Sequence, residues 1–289
     1  MRLDGRRESN NVEDRRGMSG GAKAGIGGIG GIIVVALITL LGGGDLGDVF
    51  NAVVQNNVIQ QPATAGEYKP SAEEEELASF TKKILAGTED VWTELFRENG
   101  RTYEPPRLVL FSNAVSSGCG NASSSTGPFY CSADQTVYID LSFFSSMQRQ
   151  LGGGGDFAYA YVIAHEVGHH VQYLLGTLNE AHSQMSRLSQ TEANKISVRL
   201  ELQADFYAGI WAHYDNKRFD SLEDGDIEEG LDIAAKIGDD YLQKKAQGYE
   251  VPDAFNHGRS EWRVRWFKKG IMTGDLSQGD TFSLAYGDF

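Results

Sequence analysis

The sequence predicts a mainly helical α+β domain with a small sheet, preceded by a single N-terminal transmembrane helix. Three observations predict it. Apolar residues recur at helical spacing over residues 71–98, 157–175 and 191–214. Two short runs rich in β-branched and aromatic residues, 107–112 and 136–141, read as strands. Residues 24–44 carry no charge and contain the run from Ile32 to Leu41, close to the roughly 20 residues that span a bilayer.

The order of these elements divides the chain. A mixed-charge leader occupies residues 1–23, the apolar stretch 24–44, a polar linker with Gln, Asn and Pro 45–71, and the main domain 72–289. The leader is too long and too mixed in charge for a cleaved signal peptide, which makes 24–44 an expected uncleaved anchor. Its arginines, at positions 2, 6, 7, 15 and 16, lie before the stretch, and the first charge after it is Asp45. By the positive-inside rule the leader is expected to be a cytoplasmic tail, with the main domain outside. The chain has a net charge of −14; the leader holds six basic and four acidic residues, net +2, leaving −16 for the remainder. Such a surface repels nucleic acid, so a DNA-binding role has no support.

Chemistry concentrates in His165-Glu166-Val167-Gly168-His169, an HExxH motif. The segment reads as a helix because Asp156 offers an N-cap, apolar residues follow at helical spacing, and Gly176 offers a stop. Residues four apart share a helix face, so both imidazoles can reach one zinc ion. Glu166 lies about 100° round the helix, suited to serve as general base toward the attacking water rather than as a ligand.

A third ligand is expected from the helix over 191–214. Its Glu201 and Asp205 share a face with Asn194, Ser197, Ala208 and Ala212, beside an apolar stripe of Ile196, Leu200, Tyr207 and Trp211. Buried carboxylates need partners, which zinc and its histidines supply. Glu201 is the expected ligand, and Asp205 is placed to accept the distal N–H of a ligating imidazole. Gly168 lets the second helix come close.

At these residues the chain resembles the bacterial neutral zinc metallopeptidases, the YpfJ-like family of gluzincin type. The resemblance runs through the His165–Gln172 and Leu200–Asp205 motifs. It also takes in Gly5 to Ser9, Asn11 to Arg16, Gly127 to Cys131, Val137 to Leu141, His257-Gly258 and Arg263 to Phe267. It implies a zincin-like domain with the sheet beside the HExxH helix, His165, His169 and Glu201 on zinc, and Glu166 as base. Two residues depart from the family pattern, Phe206 in place of a frequent cysteine and Arg259 in place of threonine. In such peptidases a strand beside the active helix pairs with substrate backbone, and 137–140 is the candidate, with an internal core strand as the alternative.

The remaining candidates lie outside the motif. Cys119 and Cys131, the two cysteines, flank a Gly/Ser-rich stretch that an oxidising compartment would close as a disulfide; a pair of buried thiols is the alternative. His257 follows Phe255-Asn256 in a loop, where an imidazole could stabilise an oxyanion. His170 points away from the ligands, and His182 and His213 sit in no motif and read as surface or core-edge residues.

The expected function is therefore a membrane-anchored zinc metalloendopeptidase that hydrolyses peptide bonds with a zinc-activated water and a glutamate base. The alternative is a noncatalytic, zinc-stabilised envelope assembly factor or chaperone. An intramembrane protease is disfavoured because no apolar span surrounds the motif. The expected location is the bacterial inner membrane, single-pass, with the domain on its periplasmic or extracellular side.

Overall fold

The computed structural model describes residues 1–18 and 68–289. Its strands are β1 (Val12–Asp14), β2 (Arg107–Phe111), β3 (Ala114–Ser117), β4 (Gly120–Ser123), β5 (Phe129–Cys131) and β6 (Thr136–Asp140). Its α-helices are α1 (Ala72–Glu98), α2 (Ser142–Leu151), α3 (Asp156–Leu175), α4 (Thr177–Met185), α5 (Gln190–Phe219), α6 (Asp226–Lys236), α7 (Asp239–Gln247) and α8 (Ser260–Thr273). Helix outweighs strand, as expected of a mainly helical α+β domain.

Four strands form one sheet in the order β1-β2-β6-β5, with β1, β2 and β6 parallel and β5 antiparallel to β6. Side chains alternate across it. Leu108, Leu110, Val137 and Ile139 enter the helical core, whereas Val109, Phe111 and Tyr138 join Val115, Phe129 and Cys131 on the opposite face. That second face is covered by the β3–β4 hairpin, whose Val115 and Ala122 pack there. With both faces covered and a neighbour on each side, β6 is buried along its whole length. The segment 137–140 is thus an internal core strand, and β5 is an edge strand beside it.

The three long helices start and end for local reasons. Helix α1 starts on a capping box between Ser71 and Glu74. Helix α3 starts one residue earlier than expected, with Gly155 at the N-cap and Asp156 inside the first turn, and stops at Gly176, whose φ of 87° is a left-handed conformation that glycine accepts without strain. Helix α5 is capped by the Ser189 side chain and runs to Phe219, five residues beyond the expected end.

Close packing of α5 against its neighbours depends on glycine. A Cβ on Gly168 of α3 would stand 2.9 Å from the Ala204 carbonyl oxygen, so the expected close approach is present. At the α5–α8 crossing, a Cβ on Gly209 would meet Phe267 O at 2.3 Å. Any larger residue at either position separates helices that carry the site.

Residues 1–18 correct the expected topology. Val12, Glu13 and Asp14 pair in register with Leu108, Val109 and Leu110, which makes the leader a strand of the domain's own sheet. Its arginines are taken up by acids. Arg2 meets Asp220, Arg6 meets Asp215, Arg7 meets Asp90 and Glu89, Arg15 meets Glu13, and Arg16 meets Asp14 and Glu75. The positive charge read as a cytoplasmic signal is therefore the domain's own ion pairing. Strand pairing also keeps leader and domain on one side of any membrane, which a single span between them cannot separate. Among the described residues no helix is long and apolar enough to cross a membrane; the expected span, 24–44, lies outside the described residues. The single-pass inner-membrane location is accordingly set aside.

Candidate metal centre

Helices α3 and α5 bring the motif residues together. His165 and His169 stand one turn apart on α3, with ring centroids 4.8 Å apart. Glu201 reaches across from α5, with Oε2 3.2 Å from His165 Nε2 and Oε1 3.4 Å from His169 Nε2. One ligand atom from each of the three lies within 4.8 Å of the others, a spacing that a single ion can bridge. The cleft around them is lined also by Glu166, His257 and Arg263.

The electrostatics favour a cation. Burial would lower the His165 pKa, but the charge and hydrogen bond of Asp205, together with Glu201, raise it from 6.5 to about 10. Burial likewise works against the Glu201 carboxylate, yet His169 and His165 hold its pKa well below the ordinary range. Three buried carboxyl groups, Glu166, Glu201 and Asp205, converge beside the buried guanidinium of Arg263. Two imidazoles and a carboxylate are a donor set that zinc accepts. The residues fit the ion.

Asp205 occupies its expected position and does more than expected. Its Oδ1 accepts from His165 Nδ1 at 2.8 Å, leaving Nε2 toward Glu201. The same carboxylate accepts from Arg263 Nε at 2.8 Å and Nη2 at 2.9 Å, and from the Tyr161 hydroxyl. Arg263 is fully buried on α8 and its pKa, opposed by burial, is raised by Asp205 and Tyr161. In the sequence Arg263 belongs only to the segment of family resemblance that ends at Phe267; its signal is an arginine in an otherwise apolar helix stripe.

Glu166 is buried beside the histidines. Burial raises its pKa above the usual carboxylate range, with the charges of His169 and His165 pulling the other way. A carboxyl group so placed is a stronger base than an exposed one. His257 is held by Asp239, whose Oδ2 accepts the main-chain N–H groups of Asn256, His257 and Gly258. Asp239 Oδ1 lies 3.3 Å from His257 Nδ1, so the other ring nitrogen is left for the cleft. Burial lowers the His257 pKa, but the Asp239 hydrogen bond and charge raise it further than burial depresses it. Arg259, one of the family departures, turns to Glu250 and leaves this loop intact.

Three placements were not legible in the sequence. His182 is part of the cleft lining, and its Nε2 is buried without a hydrogen-bond partner among the described residues. Phe129 and Tyr130 bring edge strand β5 to the cleft. The Cys119–Cys131 disulfide forms as expected and ties the tip of the β3–β4 hairpin to β5, so the hairpin walls the cleft. His170 is structural, accepting from the Tyr130 hydroxyl and donating to the Glu104 carbonyl. His213 bonds Ile271 O on α8, away from the cleft.

The family described as "Putative neutral zinc metallopeptidase" matches residues 1–282. The chain belongs to this family. Escherichia coli K12 has a similar member, the uncharacterized protein YpfJ, 47% identical over 98% of this chain and 99% of its own length. An uncharacterized protein of Mycobacterium tuberculosis is 45% identical over 63% of this chain and 64% of its own length. No solved structure matches. The family match includes residues 1–18, in keeping with their place in the domain's sheet.

Proposed function

We propose that the chain is a zinc-dependent endopeptidase of the gluzincin type, built on a zincin-like domain. The observation that carries this reading is the convergence of His165 Nε2, His169 Nε2 and the Glu201 carboxylate within bonding reach of one ion, with Glu166 beside them. Held by these three residues, zinc supplies Lewis acidity toward the scissile carbonyl and lowers the pKa of a water molecule.

The chain's own groups do the rest. Glu166 takes the proton of the attacking water and passes it to the departing amine, a task its raised pKa suits. His257, fixed by Asp239, donates to the carbonyl oxygen as negative charge develops there. Asp205 and Arg263 hold His165 in the tautomer that keeps Nε2 free.

Edge strand β5 supports a peptide as substrate. Its inner side pairs with β6 and its residues Phe129 and Tyr130 reach the cleft, so an extended chain can add to its outer edge. Phe143, Val162, Leu178, Leu200 and Ile237 form apolar walls nearby, which favours uncharged, bulky side chains next to the cut bond.

The test is cleavage of a peptide library by the full chain, with and without chelator, beside Glu166→Gln. Chelator-sensitive cutting is expected, and Glu166→Gln should keep zinc while losing about 10²–10⁴ in turnover. Wild-type turnover by that variant would remove Glu166 from the mechanism. No chelator-sensitive cleavage across a broad library would favour a noncatalytic zinc protein.

A further inference from the structure

His165 owes its ring orientation to a carboxylate, but His169 does not. Its Nδ1 faces the side-chain oxygen of a neutral amide, Gln172 Oε1, at 2.9 Å. An amide can present either an acceptor or a donor, and the two choices have opposite consequences for the imidazole. With oxygen toward the ring, Nδ1 carries the proton and Nε2 keeps its lone pair. With NH₂ toward the ring, the proton moves to Nε2, and the nitrogen facing Glu201 can no longer bind a metal.

The surrounding hydrogen bonds decide between them. Gln203 donates from Nε2 to the carbonyl oxygen of Gly279 at 2.8 Å, and a carbonyl can only accept. Gln203 Oε1 is therefore turned toward Gln172, which donates to it at 3.2 Å. The same Gln172 nitrogen donates to the Leu200 carbonyl at 2.8 Å, a second acceptor-only partner. Flipping Gln172 would set its oxygen against both oxygens and its NH₂ against His169. Gln172 is fully buried and Gln203 is 6% exposed, so water cannot repair such mismatches.

We propose that Gln172 and Gln203 are positioning residues that hold His169 in the tautomer with Nδ1 protonated, through a relay anchored on the Leu200 and Gly279 carbonyls. The proposal rests on the zinc reading above and deepens it. It assigns the two histidines different supports: an ion pair with Asp205 and Arg263 for His165, and a neutral amide relay for His169. The relay also joins the two ligand-bearing helices, since Gln172 lies one turn past His169 on α3 and Gln203 two residues past Glu201 on α5. Its far end is the segment containing Gly279, which follows α8.

The full chain, stripped of metal, is titrated with zinc against a chromophoric chelator, and the ring-nitrogen shifts of histidine-labelled apo protein are read by 15N NMR. Loss of an outer hydrogen-bond partner to a ligating histidine costs about 10–100-fold in metal affinity, and that loss is expected for Gln172→Met. Apo wild type should show His169 with a protonated Nδ1, and Gln172→Met should lose that signature. Gln203→Met, which removes one of two anchors and is the fallback if Gln172→Met does not fold, should weaken zinc binding by a smaller factor. Wild-type zinc affinity in Gln172→Met, or an unprotonated Nδ1 on His169 in apo wild type, would overturn the proposal. A wild-type chain that binds no zinc would instead sink the metallopeptidase reading. The NMR comparison would then decide the relay by itself.

Discussion

Arg263 lays its guanidinium edge-on against Asp205, with Nε 2.8 Å from Oδ2 and Nη2 2.9 Å from Oδ1. Both side chains are almost fully buried, and the carboxylate that they share with His165 is one step from the candidate metal ligands. The pair is a paired charge that neither partner can leave without stranding the other.

Removing one partner should therefore be costly. Arg263→Met is expected to destabilise the apo protein by about 3–5 kcal/mol in urea unfolding, because Asp205 is left as an uncompensated buried charge. Asp205→Asn should lower zinc affinity about 10–100-fold. In the unfolding free energy of the apo protein the two changes should be far from additive in a double-mutant cycle, and simple additivity would show that Arg263 and Asp205 do not act as a unit.

His257 provides a separate test of the cleft. Its loop is set by Asp239 and lies off the ligand helices, so His257→Ala should leave zinc affinity near wild type. Turnover should fall about 10²–10³-fold, the cost of one oxyanion donor. Unchanged kcat with zinc bound would remove His257 from the reaction.

The N-terminal arm should matter to the fold. Arg6 Nη2 lies 2.6 Å from Asp215 Oδ1, with the two side chains 10% and 0% exposed. Arg6→Met is expected to lower stability by about 3–5 kcal/mol, by the same stranding of a buried carboxylate. An unchanged unfolding midpoint would mean that residues 1–18 are an appendage after all.

Acid sensitivity should trace in part to His170. Burial pushes its pKa down from 6.5 to about 4, against the opposing pull of the Glu104 carbonyl. The unfolded chain then takes up the proton first. The contribution is fully present above pH 6.5 and is lost as pH falls toward 4, up to about 3 kcal/mol. In zinc-free protein, unfolding free energy between pH 7 and pH 4.5 should fall less steeply for His170→Gln than for wild type. Parallel curves would show that another group sets the acid limit.

Much of the candidate site was legible because helices make spacing into geometry. Four residues of separation put His165 and His169 on one face, and the same rule put Glu201 and Asp205 together on the next helix. The cysteine pair was legible from its small number and short separation. The internal place of 137–140 was not, because an apolar run reads alike at an edge and in a sheet centre; only the neighbours β2 and β5 distinguish them.

The leader shows the limit most clearly. Its arginines carry the same charge whether they face a membrane, water or a partner, and local pattern holds no record of which. Asp215, Asp220, Glu89 and Asp90 lie 82 to 218 residues away in sequence from the arginines they meet, and only folding brings them there. The same holds for the supports of the metal centre. By itself the sequence determined a helical α+β chain with an HExxH motif and a glutamate ready to join it. Tertiary structure alone decided that Arg263, Gln172 and Gln203 lie in one hydrogen-bonded network with the candidate ligands, and that the N-terminal strand belongs to the sheet, because each depends on which distant groups share a buried space.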